Sequence, residues 1–220
     1  MANVRALALG LSLVAAVASA QTPPSAASTT APDATLTYRI LRGGHELGRQ
    51  SMVFRDLDGA TDVETVSQVQ VIIGGKDMYE FTQTMHELWR GQRLVQFKSV
   101  TNDNGEHHIV ELAPSAGRSL LVADGQHQEV AADIAPTSLW HPFMLKRSAL
   151  FDTLHGDVHS FKLRDEGEVS LRIADRDVLA RYFVLTGGIR RKLWYAPGDQ
   201  LLRMALTARD GSEVVFEVMR

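Results

Sequence analysis

The chain has 220 residues, no cysteine, 45% hydrophobic and 22% charged residues, and a formal net charge of −3. So high an apolar share with so small a charge excludes a disordered chain, and the length suits one large domain or two small ones. The missing cysteines exclude a disulfide framework, a thiolate zinc site, a cysteine nucleophile and a lipid-modified N-terminal cysteine, and the lack of a basic surplus argues against nucleic acid as a partner.

Residues 1–20 read as an export signal. Arg5 supplies the basic start, residues 6–17 are apolar apart from Gly10 and Ser12, and Ala18-Ser19-Ala20 offers the small residues that a signal peptidase accepts. The apolar run is too short to span a bilayer comfortably. The expectation is an exported chain, periplasmic or secreted, cleaved near Ala20, soluble and without a transmembrane segment. Losing Arg5 takes the basic count from 23 to 22 against 26 acidic residues, a charge of −4. Residues 21–34 are rich in Pro, Ala, Ser and Thr and read as a solvated tether. A single domain is expected over residues 35–220.

Turn signals then recur at short intervals: Gly43-Gly44, Asp58-Gly59, Gly74-Gly75, Asn104-Gly105, Asp124-Gly125, Glu166-Gly167, Gly187-Gly188, Pro197-Gly198 and Asp210-Gly211. Such dipeptides supply the positive φ of tight hairpins. Between them lie segments of period-two alternation. Tyr79, Phe81, Met85 and Trp89 share one face, and Glu80, Thr82, Thr84 and His86 the other. Val214, Phe216 and Val218 alternate with Val215 and Glu217. Strands joined by two-residue turns are antiparallel neighbours. The expected fold is all-β with minor α: an antiparallel meander of about a dozen strands. A sheet that wide closes into a barrel or curls into a half-barrel.

Residues 136–145 break the pattern with two prolines and several large apolar side chains. They predict one short helix, capped at Thr137 or Ser138. Its ordinary reading is a plug over one open end of the sheet. Its sharper reading is a lid, with Trp140 and Phe143 lining a ligand cavity.

Catalytic spacings are missing: the chain has no G-x-S-x-G elbow, H-E-x-x-H helix or phosphate-binding glycine loop. The best polar constellation is His155, Asp157 and His159, which fall on one face if the strand already runs there. Two imidazoles and a carboxylate suit zinc or a similar divalent ion. Gly156 argues instead for a solvated turn. Arg190-Arg191-Lys192 beside Trp194 reads either as an anion or lipid-headgroup site at a cavity rim or as an exposed, charge-guarded strand. On a strand, Arg190 and Lys192 share the face of Trp194, whereas Arg191 joins Ile189, Leu193 and Tyr195. Gln83 and Glu87 interleave the aromatic face of residues 79–89, either lining a cavity or lying near the strand's exposed end.

Toward the C-terminus, the run from Leu193-Trp194-Tyr195-Ala196-Pro197-Gly198 to Leu201-Leu202, followed by Ala208-Arg209-Asp210-Gly211-Ser212-Glu213-Val214, resembles a signature of uncharacterised secreted bacterial β-rich proteins, a domain of unknown function. Tyr38-Arg39-Ile40 with Gly48, Glu87-Leu88-Trp89 with Gly91, and Asp152-Thr153 with Gly156 resemble that group too. The resemblance implies a fold and a compartment and carries over no catalytic residue. A curled sheet with a short helical cover is also similar to periplasmic lipoprotein-carrier folds, which hold acyl chains on a concave apolar face. The leading expectation is therefore a non-catalytic binder of a hydrophobic small molecule or lipid, without a cofactor, using Tyr79, Phe81, Trp89, Trp140, Phe143, Trp194 and Tyr195. The alternatives are an envelope interaction module presenting a surface to a protein partner, and a metal-dependent hydrolase built on His155, Asp157 and His159.

Overall fold

Alternation along the chain produces fifteen strands in one sheet among the described residues. The structure, a computed structural model, describes residues 33–208 and 210–219. The expected leader, the tether up to residue 32 and Arg209 lie outside the described residues. Ala34, expected to end the tether, instead opens the first strand.

The first eight strands run β1 (Ala34–Arg42), β2 (His45–Leu57), β3 (Ala60–Ile73), β4 (Lys76–Arg90), β5 (Arg93–Asp103), β6 (Glu106–Ser115), β7 (Arg118–Ala123) and β8 (Gln126–Val130). After a two-residue strand, β9 (Ala135–Pro136), come a short 3₁₀ helix (Pro142–Lys146) and β10 (Ala149–Phe151). The rest is β11 (Val158–Ile173), β12 (Arg176–Gly187), β13 (Arg191–Tyr195), β14 (Leu201–Thr207) and β15 (Glu213–Val218).

The spatial order is β8-β7-β6-β5-β4-β3-β2-β1-β15-β14-β13-β12-β11-β10-β9. Thus β1 and β15 pair with each other in the middle, and the two edges, β8 and β9, are neighbours in sequence joined by residues 131–134. The sheet curls without closing. Register shifts in the β1–β2, β3–β4, β4–β5, β11–β12 and β13–β14 pairs supply bulges; each adds local twist and bends its strand. The edges are guarded against further pairing. Most of β8 is exposed and polar, and β9 is only two residues long and contains Pro136.

Two expectations need correcting. Glu166-Gly167 is not a hairpin turn. Gly167 has a positive φ but serves a bulge within the continuous β11, and the turn lies at Ala174-Asp175, where Ala174 takes the positive φ. The meander is also not wholly antiparallel, because β9 and β10 pair in parallel. A parallel pair needs a crossover of about a dozen residues, and residues 137–148 provide it.

That crossover holds the expected helix, displaced. It starts at Pro142 with His141 as its cap, whose Nδ1 accepts from the Phe143 N–H at 3.2 Å, rather than at Thr137 or Ser138. Proline fits the first helical position because its absent N–H would have no intrahelical partner there. Phe143, Met144 and Leu145 are buried. The Trp140 ring stands edge-on to Phe54 at 5.3 Å and to Trp89 at 6.1 Å, while Phe143 packs on Trp89 at 5.1 Å. Fully burying a side chain of this size contributes about 1.5–3 kcal/mol. The Tyr195 hydroxyl, itself buried, donates to the Leu139 carbonyl at 2.7 Å. The segment is a plug packed into one end of the sheet.

Candidate functional site

Cross-strand pairing lays the concave face out in rows. Ile40, Gly48, Val69 and Phe81 form one row across β1–β4. Gln50, Ser67, Gln83 and Thr101 form the next across β2–β5. Met52, Thr65, Met85 and Ser99 follow. Toward the C-terminal strands, Ile40 continues through Phe216 and Met204 to Leu193, and Arg42 through Val214 and Leu206 to Arg191. These rows bound a partly open trough of about 650 Å³, lined chiefly by aliphatic, Met and aromatic side chains. Small-molecule sites commonly occupy roughly 300–1,000 Å³ and are mostly apolar with a few placed polar groups.

The middle row is polar and paired. Ser67 Oγ donates to Gln50 Oε1 at 3.1 Å. Gln83 Nε2 donates to Thr101 Oγ1 at 3.0 Å, to Ser99 Oγ at 3.2 Å and to the Thr153 carbonyl at 3.2 Å. The last bond ties β4 to the turn between β10 and β11. Asp152, Thr153 and Leu154 of that turn line the trough, so they roof it. Asp152 Oδ1 accepts from the Leu154 and His155 N–H groups, and the Thr153 N–H donates to Thr137 Oγ1 at 3.3 Å. The turn also reaches β6 and β7. A Cβ on Gly156 would lie 2.6 Å from the Ala123 Cβ, and the His155 ring stands edge-on to His108 at 4.7 Å.

Of the sequence-predicted ligand residues, Tyr79 and Phe81 line the trough. Trp89, Phe143 and Tyr195 are buried in the core, with Trp140 packed against them. Trp194 lies on the other face, stacked on Tyr182 at 4.7 Å. The sharper reading of residues 139–145 as a cavity lid therefore gives way to a roof built from residues 152–154, which alternation could not reveal because the segment is a turn. His155, Asp157 and His159 are not brought together. His155 sits in the roof turn, exposed Asp157 follows it, and His159 packs in β11 beside Gly188. Among the described residues no three His, Asp or Glu side chains are placed to hold a metal ion.

Burial perturbs two of the inward-facing ionisable groups, Glu87 and Arg191. Glu87 is fully buried, and its Oε2 accepts from Trp89 Nε1 at 2.9 Å and Trp140 Nε1 at 3.1 Å. Burial pushes its carboxyl above the ordinary value, outweighing the polar neighbours Ser138, Trp140 and Trp89. Gln83 and Glu87 thus part company: the first lines the trough and the second lies beneath the plug. Arg191 projects inward between its cross-strand neighbours Leu185 and Leu206. Burial lowers the affinity of its guanidinium for the proton, and the Asp152 charge opposes that effect. Arg190 is exposed, and Lys192 pairs with Glu213 on the other face. Of the basic triplet, Arg190 precedes β13, Lys192 lies on its outer face and Arg191 is part of the trough.

No curated protein matches this chain. The structure resembles a beta-barrel-like protein of the domain of unknown function DUF1849 from Brucella abortus, with a TM-score of 0.60 over 84% of this chain and 95% of that one. Identity is 10%, so the likeness is one of fold alone. Among the described residues no helix is long and apolar enough to cross a membrane. A family profile described as a domain of unknown function, DUF6134, matches residues 38–219. With that match spanning most of its length, this chain belongs to the DUF6134 family.

Proposed function

We propose that the protein is an exported, non-catalytic binder of an apolar or amphipathic small molecule or lipid, held in the trough. The observation that carries this reading is the trough itself, a chiefly apolar, partly open cavity of about 650 Å³ on the concave face, beside a core of buried side chains. A chain that only needed a core would close that space, since protein interiors pack at crystal-like density. Export rests on the order of basic, apolar and small-residue regions in residues 1–20. Native mass spectrometry of gently purified protein tests the binding. A co-purifying hydrophobic molecule, lost on organic extraction and regained on mixing, is the expected outcome. Protein that emerges empty and takes up no alkyl ligand would sink the reading.

A second reading, an envelope interaction module, has one observation in its favour. Leu163 and Leu179 are 41% and 51% exposed beside Leu145 and Phe183, in a groove next to the plug. Exposed apolar groups gathered in one place mark protein contact surfaces. Capture of one stoichiometric partner that is lost on Leu179→Glu favours this reading.

A further inference from the structure

Among the described residues, the trough is lined by a cation, Arg191, whose buried Nε has no hydrogen-bond partner. Five charged residues among those described line it: Arg42, Asp103, Asp152, Arg191 and Asp210. Arg42 is paired with Asp210, which also accepts from Ser212. Asp103 accepts the Tyr79 hydroxyl at 2.8 Å. Asp152 caps its own turn through two backbone N–H groups. Arg191 differs from all of these. Its Nε is buried without a hydrogen-bond partner, its Nη1 turns back onto the carbonyl of Arg190 at 2.9 Å, and it makes no ion pair with Asp152. A guanidinium carries five donors in a planar fork, and leaving its Nε desolvated and unpaired between Leu206 and Leu185 is unfavourable. Such a fork matches the two oxygens of a carboxylate or a phosphate.

We infer that the occupant of the trough is a single-chain amphiphile with an oxyanion head, seated with that head on Arg191 and its alkyl chain along Leu206, Met204, Phe216 and Ile40. This rests on the binding reading above and adds the polarity and the position of the head. The path follows the register. Arg191 lies opposite Leu206, and one row deeper Met204, Phe216 and Ile40 form an unbroken apolar strip across β14, β15 and β1. The head would sit beneath the roof turn, where the Asp152 charge selects against doubly charged groups that bring more repulsion than one guanidinium offsets.

The test uses the purified protein and four ligands of one chain length: dodecanoate, dodecyl phosphate, dodecanol and dodecyltrimethylammonium, each measured by displacement of a neutral fluorescent probe. Dodecanoate is expected to bind at least about tenfold more tightly than dodecanol, about 1.4 kcal/mol, and dodecyltrimethylammonium to bind worst. The position of dodecyl phosphate between them tells a carboxylate from a phosphate source. Arg191→Gln should abolish the preference for dodecanoate over dodecanol, and Arg191→Lys should keep part of it. Equal binding of dodecanoate and dodecanol by the unaltered protein overturns the inference and leaves the trough reading standing. Failure of all four to bind overturns the trough reading and this inference with it. Because the ligand comparison needs no variant, an unfolded Arg191→Gln protein does not blunt the test.

Discussion

Glu87 shows how a single side chain couples the sheet to its plug. Its Oε2 accepts both indole N–H groups, one from Trp89 on the same strand and one from Trp140 on the crossover. Because the folded pKa is raised, the neutral acid is the form that the fold favours. The stability this contributes is complete below the ordinary carboxyl value of 4.5 and is lost as the pH climbs through the raised value, since the unfolded chain then releases a proton that the folded one retains. Glu87→Gln cannot ionise and escapes that loss. Unfolding midpoints measured between about pH 4 and pH 8 should show the variant gaining on the natural protein as the pH rises. A constant difference across that range refutes a neutral buried Glu87. Glu87→Ala leaves the indole donors of buried Trp89 and half-buried Trp140 unpaired and should cost about 1–3 kcal/mol for the buried one, a deficit that narrows as the pH rises because alanine cannot ionise either. At this scale the sequence was half legible. Period-two parity put Tyr79 and Phe81 inward and separated Arg191 from Lys192. Parity could not distinguish Trp89, in the core, from Phe81, in the trough, because both lie on one face of β4 and only the plug's position tells them apart.

Elements were legible where a glycine supplied a positive φ and less so where it did something else. Asp58-Gly59, Asn104-Gly105 and Asp124-Gly125 mark hairpins as expected. Gly167 takes a positive φ inside a strand, and Ala116 and Ala174 take one in turns where alanine carries no such signal. Gly48 escaped notice as a structural glycine for another reason. It has no positive φ, and its requirement is room. A Cβ there would lie 1.9 Å from the Gln68 carbonyl oxygen and 2.7 Å from the Val69 Cα, both backbone atoms of the paired strand β3. This close approach of β2 to β3 lies beside a bulge in β2, where the extra residue Leu47 falls between the partners of Ile40 and Leu41 and bends β2. Gly48→Ala must push two backbones apart, and overpacking of that kind costs about 1–3 kcal/mol. The urea midpoint should fall accordingly. Probe binding should weaken as well, because Gly48 shares its row with the trough residues Ile40, Val69 and Phe81. A variant with unchanged stability and binding would show that the two strands part freely at this point.

At the scale of the whole sheet, local alternation says that strands are neighbours but not which pair joins the two arms. One arm runs from β8 back to β1 and the other from β15 back to β9, and among the described residues the strand pairing that unites them is the β1–β15 ladder. Arg39 and Glu217, paired across that ladder, are 178 residues apart. Glu217 is buried between Arg39 and Arg203, so the junction is charged as well as remote. Joining the arms requires closing a very long loop, whereas β8 and β9, adjacent in sequence, do not pair at all. A circular permutant should exploit this asymmetry. Met219 donates its N–H to the Thr37 carbonyl, and the four residues from Thr37 back to Asp33 span about 13 Å, so a linker of about eight flexible residues reaches from one end to the other. Opening residues 33–219 within the 131–134 connection, where Ala131 and Asp133 are exposed, breaks no strand pair. The permutant turns β15–β1 into a local hairpin and lowers the closure cost by about 2–3 kcal/mol on the logarithmic dependence on loop length. It should refold several-fold faster than the same residues in natural order, because folding rates rise as contacts become more local. Stopped-flow refolding of the two chains provides the comparison. Equal rates would mean that the junction forms after the rate-limiting step, and that the two arms assemble around the plug before β1 meets β15.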